Sequence, residues 1–424
     1  MFIIFILSII PAVIWTFIAP ISSRFADLSS ITTSIGQLLG LTGMALFSIN
    51  LILAGRYEFL DKFFHGLDKV YAHHSRIGAL AFSMLLFHPL LLVVKYIAIS
   101  TQQAALFLLS FNNIPNTWGS IGLAIMIILI GFTFYIKLKY HIWKISHKFM
   151  VLAFVFAILH TLVITSDISR NALLRYYILI LAFTGLIISV RKAFLDEYLV
   201  KKINYKIFRV NQLNKDIVEV EMKPEDKLMD FNPGQFAFFN FLSEGVSSES
   251  HPFSISSDEK DRNLKITVKD FGDFTHDLKK VKVGDTVLID GPYGNFNYRE
   301  AKNKNQIWIA GGIGVTPFLS MMKSLDSTYN VEMYYAVREN MEAVHIKDFV
   351  ETAEKYQNFK YSLWISKDSG YLTCKTILNL SKGLDSKDIF LCGPPVFMES
   401  LKNQFIRLGV DAKRIHYENF NFFN

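Results

Sequence analysis

The sequence predicts a bundle of six membrane-spanning helices followed by a soluble α+β module, first an antiparallel barrel and then a parallel α/β domain. Three observations predict it. Long apolar runs crowd into the residues before 191, short alternating strands and turns replace them to about residue 294, and from residue 305 the rhythm becomes strand then helix. The boundaries fall at 1–200, 201–302 and 303–424.

A hydrocarbon core about 30 Å thick takes roughly 20 apolar residues to cross as a helix. Six stretches meet that length, at 2–21, 33–54, 74–94, 119–137, 146–165 and 172–190. The first lacks a charged start and a small-residue cleavage site, so it reads as a retained span and not a secretory signal.

Residues 1–200 carry 14 Lys and Arg against 7 Asp and Glu, so the whole net charge of +7 sits there and the remainder is balanced. A nucleic-acid binder would show its basic stripe on the soluble half, which argues against such a partner. The excess is better read as topology. Arg56, Lys62, Lys69 and Arg76 lie around the connection between spans two and three, and Lys137, Lys139, Lys144 and Lys148 around that between four and five. The alternate connections hold only Arg24, then Lys95, then Arg170 and Arg175. By the positive-inside rule both termini and the soluble module are cytoplasmic, in a multi-pass protein of the plasma membrane. The two cysteines, Cys374 and Cys392, fit neither a disulfide framework nor a CxxC metal site.

Span three, HHSRIGALAFSMLLFHP, holds His74 and His88; span five, SHKFMVLAFVFAILHTLVI, holds His147 and His160. An ionisable group at the bilayer centre costs roughly 2.5 kcal/mol or more when charged, so each needs a reason. Spans three and five run the same way, which places His74 and His147 near the cytoplasmic ends and His88 and His160 about 20 Å further out. Two imidazole pairs at two depths are suited to holding haem iron by two axial ligands, twice over. The competing reading, packing residues or a proton relay, suits one histidine better than four at matched depths. Fourteen helical steps return His88 to within about 40° of His74, but thirteen leave His160 about 140° from His147, so span five must wind locally, for instance through a π-bulge, or tilt strongly. His73 and His141 lie at the rim, where a headgroup-facing role fits; Arg76 and Arg175 suit either haem propionates or snorkelling.

In the soluble module, IWIAGGIGVTPFLS places Gly311, Gly312 and Gly314 between a strand and a helix, where backbone amides can meet a pyrophosphate. It is not the GxGxxG fingerprint. LCGPPVFM ends another strand with Cys392, Gly393 and Pro394 at the same sheet edge. In the barrel, HPFSISS and VKDFGDFT supply parts for a flat ring plus a diphosphate: Phe253 for stacking, Ser254 for a hydrogen bond, and Lys269 with the backbone near Gly272 and Thr275 for charge. Arg338 follows a strand and suits either a 2′-phosphate, favouring NADPH, or a surface ion pair.

Together these residues resemble the ferric reductase and NADPH oxidase superfamily, most nearly its bacterial NADPH oxidase-like members. The likeness covers almost the whole chain. It rests on the paired histidines, HPFS at 251–254, KDFGDFT at 269–275, GPYG at 291–294, GGIGVTP at 311–317, CGP at 392–394 and ENF near the C-terminus. It implies a ferric reductase-like bundle with His74, His88, His147 and His160 as ligands of two b-type haems, then a ferredoxin reductase-like module. His251, Pro252, Phe253 and Ser254 would hold the flavin of FAD, with Lys269, Gly272 and Thr275 near its phosphates. Gly312, Gly314, Thr316, Cys392, Gly393 and Pro394 would line the nicotinamide nucleotide site, Cys392 close to the hydride path. Phe420 matches the terminal aromatic that covers the flavin ring; because Asn421 to Asn424 extend past it, Phe422 or Phe423 are substitutes.

The activity so implied is electron transfer from cytosolic NADPH or NADH through FAD and two haems to oxygen on the outer face, making superoxide. A ferric-chelate or other metal reductase with the same electron path is the alternative. The outer connections, FADLSSITT and KYIAISTQQAALFLLSFNNIPNT, hold no acidic or Cys/His cluster for iron, which favours oxygen. A histidine-based proton conductor is a third reading, and the set of nucleotide motifs counts against it. No calcium-binding loop precedes the spans, so no obligatory protein activator is expected.

Overall fold

The computed structural model describes residues 2–64, 66–109, 113–136 and 138–418. The chain divides into two compact units. One comprises Met1–Tyr57 and Val70–Leu199, the other Glu58–Lys69 and Val200–Asn424. The segment Glu58–Lys69, a connection between spans in the sequence, thus belongs to the second unit.

In the first unit, α1 is Phe2–Thr16, α2 Leu28–Leu53, α3 Leu67–Leu92, α4 Ile114–Phe134, α5 Tyr140–Lys148, α6 Met150–Val163 and α7 Ala172–Val190. Five helical stretches among the described residues are long and apolar enough to cross a bilayer: Leu28–Leu53, Leu67–Ile97, Ile114–Phe134, Ile142–Val163 and Ala172–Leu195. The first of the six expected spans, 2–21, is corrected to a shorter apolar helix, Phe2–Thr16. Helix α1 has 15 residues, about 22 Å, and closes with the Phe17 N–H on the Ile14 carbonyl at 3.1 Å and the Ile18 N–H on the Trp15 carbonyl at 3.2 Å.

Helix α2 is the hub. Met44 to Leu51 are buried on every side, as expected of a helix apolar all round. Helices α1 and α7 pack on it; a side chain at Gly185 of α7 would sit 2.9 Å from the Ser48 carbonyl oxygen, so glycine permits the approach. Asp27 caps α2 by accepting the Ser30 N–H at 2.8 Å. Just before it, the buried Arg24 guanidinium lies 3.6 Å over the Trp15 ring and pairs with Asp167 at 2.8 Å. A buried arginine persists only when paired and hydrogen-bonded in this way.

The second unit contains a six-stranded antiparallel sheet ordered β4-β3-β6-β1-β2-β5, with β1 Ile203–Asn214, β2 Ile217–Pro224, β3 Phe236–Leu242, β4 His251–Ser254, β5 Leu264–Lys269 and β6 Thr286–Tyr293. A bridge between Ile255 and Ile266 joins its two edges into a barrel around Val220, Phe239, Phe241 and Ile289. Strands β7 (Asn305–Gly311), β8 (Asn330–Val337), β9 (Phe359–Ile365), β10 (Lys387–Cys392) and β11 (Ile415–Glu418) form an all-parallel sheet ordered β11-β10-β7-β8-β9. Its helices are α8 Thr316–Lys323, α9 Ile346–Lys355, α10 Cys374–Leu380 and α11 Pro395–Arg407. Strand order reverses between β7 and β10, and the crevice outside the strand ends at such a switch is where open parallel sheets bind ligands.

Candidate functional site

Helix α3 carries His74 and His88; α5 and α6 carry His147 and His160. Their rings meet in the expected pairs. The His74 and His147 centroids are 6.3 Å apart and those of His88 and His160 6.4 Å, with ring planes crossed at 69° and 71°. A metal–imidazole bond of about 2 Å plus roughly 1.1 Å from nitrogen to ring centre, on each of two opposed ligands, gives a centroid spacing of about 6.2 Å. The observed separations therefore fit one metal ion between each pair.

Nitrogen roles follow from the hydrogen bonds. His74 Nδ1 meets the Asn50 carbonyl at 3.0 Å, His88 Nδ1 the Gly36 carbonyl at 2.7 Å and His160 Nδ1 the Pro115 carbonyl at 2.8 Å. A carbonyl only accepts, so Nδ1 carries the proton in all three and Nε2 keeps the lone pair a metal needs. His147 Nδ1 makes no hydrogen bond among the described residues; its ring stacks on Trp143 at 5.2 Å.

Span five breaks between α5 and α6, with no π-bulge among its described residues. The Phe149 N–H bonds the Ser146 carbonyl at 3.0 Å, a three-residue closure that tightens the helix. Bringing His147 and His160 to one face over four turns needs about 111° per residue, above the helical 100°, so tightening is the direction required. Nearby, Arg175 donates to the Leu162 carbonyl at 3.3 Å, and Arg76 is exposed. The side chain of His141 lies outside the described residues.

In the barrel, β4 pairs with β3 so that Ser254, Phe253, Pro252 and His251 face Phe236, Ala237, Phe238 and Phe239 in turn. His251 stacks on Phe274 at 3.6 Å and Phe253 lies parallel to the same ring at 6.3 Å, so both aromatics already pack within the barrel. Ser254 is buried and Lys269 half-buried at the end of β5. Gly272, at φ +135°, turns the chain into the one-turn helix Asp273–Asp277. Thr275 Oγ1 accepts the Phe271 N–H at 2.7 Å and donates to the Gly272 carbonyl at 3.1 Å, so its hydroxyl shapes this turn.

At the parallel-sheet edge the glycines divide by purpose. Gly312, at φ +55°, has open space where a side chain would be. Gly314 has none: a Cβ there would lie 2.4 Å from the Cys392 carbonyl oxygen, and one on Gly393 3.0 Å from Gly311 Cα. These two let the ends of β7 and β10 touch, while Gly312 keeps the open face. Thr316 donates to the Ile313 carbonyl at 3.1 Å as α8 begins, and Pro394 precedes α11. Cys392 is fully buried, and burial, then Glu418, hold its thiol well above the ordinary range. Arg338 is exposed one strand away at the end of β8, its carbonyl accepting the Lys367 N–H at 3.1 Å. Phe420, Phe422 and Phe423 lie outside the described residues.

Two acids escaped the sequence reading. Glu418 pairs in register with Cys392 and is buried, and its Oε2 makes no hydrogen bond among the described residues. A Cβ on Gly294 would come within 2.6 Å of its Oε1. Asp61 accepts the Gly294 N–H at 3.3 Å, and its carbonyl accepts from Asn295 Nδ2 at 3.2 Å. Only the ENF motif marked Glu418; nothing local marks Asp61. Burial, then Asp68 and Asp61, push the Glu418 carboxyl well above the ordinary range, with Lys69 opposing. Between the ordinary glutamate range and that raised value the unfolded chain binds fewer protons than the folded one, so stability falls as pH rises. Thermal denaturation of Glu418→Gln from about pH 5 to pH 9 is expected to show a shallower decline than the parent, the variant gaining as pH rises. Equal slopes would contradict a neutral buried acid.

Three family profiles match the chain: a ferric reductase like transmembrane component over residues 39–158, an FAD-binding domain over 202–297 and an oxidoreductase NAD-binding domain over 308–403. Among curated proteins, a flavohemoprotein of Candida norvegensis is 29% identical over 226 residues, covering 50% of this chain and 57% of its own length. The toluate 1,2-dioxygenase electron transfer component of Pseudomonas putida is 30% identical over 228 residues, covering 50% and 66%. The chain thus spans about half to two thirds of the length of the curated relatives it matches. Among solved structures, the flavohemoglobin of Malassezia yamatoensis with bound FAD and heme aligns over 82% of this chain and 97% of its own, at 17% identity and a TM-score of 0.51, a likeness of fold. The FAD/NAD-binding domain of nitric oxide dioxygenase from Vibrio cholerae covers 51% of this chain and 97% of its own, at 26% identity and a TM-score of 0.45.

Proposed function

From the premise that this chain has the architecture of ferric reductase and NADPH oxidase-like proteins, a ferric reductase-like membrane component followed by FAD- and NAD-binding modules, we propose that it is a transmembrane NAD(P)H oxidase. Electrons enter from NADPH or NADH at the cytoplasmic face and reduce oxygen to superoxide at the outer face. The observation that carries the reading is the pair of imidazole pairs, 6.3 and 6.4 Å apart, some 21 Å distant along α3 by helical rise.

Bound in these sites, FAD would accept a hydride and release its electrons singly, and haem iron would supply the one-electron relay through the hydrocarbon layer. The four histidines would offer Nε2 to the metal, and in three of them Nδ1 is fixed by a carbonyl. Gly312, Gly314, Thr316, Gly393 and Pro394 shape the sheet edge that would take the nicotinamide nucleotide. Cys392 and Glu418 lie buried and in register at that edge, where burial holds both their proton-releasing groups above the ordinary range. His251 to Ser254, with the turn of Lys269, Gly272 and Thr275, serve the flavin and its phosphates, and Arg338 stands where an adenosine 2′-phosphate would be met. The basic connections support a cytoplasmic location for both termini and the second unit, and the reading takes the membrane to be the plasma membrane.

The acceptor separates this reading from a ferric-chelate reductase. NADPH consumption by the purified chain is expected to require oxygen and to reduce cytochrome c in a manner abolished by superoxide dismutase. Undiminished anaerobic consumption with a ferric chelate, and no dismutase-sensitive signal in air, would favour the metal reductase.

A further inference from the structure

The outer histidine pair is seated by a device that occurs twice. His88 Nδ1 bonds the Gly36 carbonyl at 2.7 Å, and a Cβ on Gly40 would stand 2.7 Å from that same Nδ1 and 2.8 Å from Cε1. His160 Nδ1 bonds the Pro115 carbonyl at 2.8 Å, and a Cβ on Gly119 would stand 2.9 Å from it. Each accepting carbonyl and its glycine are four residues apart on one helix, α2 for His88 and α4 for His160, so they are stacked one turn above the other. The carbonyl oxygen has two lone pairs; one takes the helical N–H of the glycine and the other the imidazole. With any larger residue one turn on, the ring could not reach that second lone pair.

The inner pair is built otherwise. His74 uses the Asn50 carbonyl, near the end of α2 at Leu53, and His147 Nδ1 has no hydrogen-bond partner among the described residues. Among the described residues, no glycine has an inner ring among its nearest neighbours; Gly78, on α3 near His74, faces the Asn50 amide instead.

We propose that Gly40 and Gly119 are positioning residues for the outer metal pair, setting how deeply the imidazoles of His88 and His160 seat and hence how strongly each Nδ1–H bonds its carbonyl. That bond raises the basicity of Nε2, and a more basic ligand stabilises the oxidised iron. The inference rests on the haem reading above. An added methyl at either glycine forces the ring outward, lengthens the Nδ1 bond and weakens the ligand. It leaves the inner pair alone.

The test uses the full chain purified in detergent, as the parent, Gly40→Ala and Gly119→Ala. Gly43→Ala and Gly122→Ala are packing controls, since their added Cβ atoms would press on Leu85 at 2.9 Å and on the Ala153 carbonyl at 3.0 Å without touching an imidazole. Anaerobic redox titration of the haem absorbance, low-spin ferric EPR signals and haem retained per chain are read together. One of two haem components is expected to move to higher potential in Gly40→Ala and Gly119→Ala, with its haem affinity falling about tenfold or more. The other component, and both in the controls, stay in place. Complete loss of one haem in the two variants, with both retained in the controls, is the stronger form of the same result. If both components stay put in the variants, or the controls move them equally, the positioning role is wrong while the haem reading stands. A folded parent without haem removes that reading and this inference together.

Discussion

Replacing His88 by alanine is expected to roughly halve the haem content of the purified chain, because one of two iron sites loses an axial ligand. His88 faces His160 at 6.4 Å and is fixed through Nδ1 to the Gly36 carbonyl, so its loss leaves His160 without its opposed ring. Flux to the outer face should fall by more than roughly 100-fold, since removing even the outer-shell partner of a ligand costs 10–100-fold. Reduction of flavin by NADPH should persist, because the sheets of the second unit are untouched. Haem content by pyridine haemochrome, with stopped-flow flavin bleaching, checks both halves. Unchanged iron content would rule out His88 as a ligand.

The second large effect lies in the soluble module. Gly314→Ala puts a methyl carbon 2.4 Å from the Cys392 carbonyl oxygen and 2.6 Å from Gly393 Cα, both backbone atoms that cannot rotate away. The ends of β7 and β10 must separate, opening the edge where the nucleotide is to sit. A displacement of about 1 Å at a reacting centre costs on the order of 100-fold, so kcat/KM for NADPH should fall by about that factor. Haem content and spectrum should match the parent. Steady-state kinetics with an artificial acceptor that takes electrons directly from flavin isolates this step; a loss below about threefold would mean that the two strand ends do not form the site.

Much of this arrangement was legible because it is written in local pattern. Apolar length marked α2, α3, α4 and α7, period-two strands marked the barrel, and glycines at a strand–helix junction marked the end of β7. What escaped depends on contacts far apart in sequence or on a single backbone choice. The apolar run of α1 continues past Thr16, but the helix closes there in tight three-residue turns that hydropathy alone does not mark. The tight turn at Phe149 follows from a ring-pairing demand thirteen residues long, which shows in the histidine spacing as a misfit and not as a motif. Asp61 sits in a connection between spans by every local sign, and only the fold brings it to Gly294, 233 positions later. Gly312 and Gly314 read alike in the sequence, yet one faces open space and the other a strand end.

The most direct measurement of the central claim is an anaerobic absorption spectrum of the full chain, purified in detergent with FAD, before and after NADPH is added. Two b-type haems per chain that become reduced together with bleaching of bound flavin is the predicted result. A folded chain that binds FAD and oxidises NADPH yet carries no haem would contradict it.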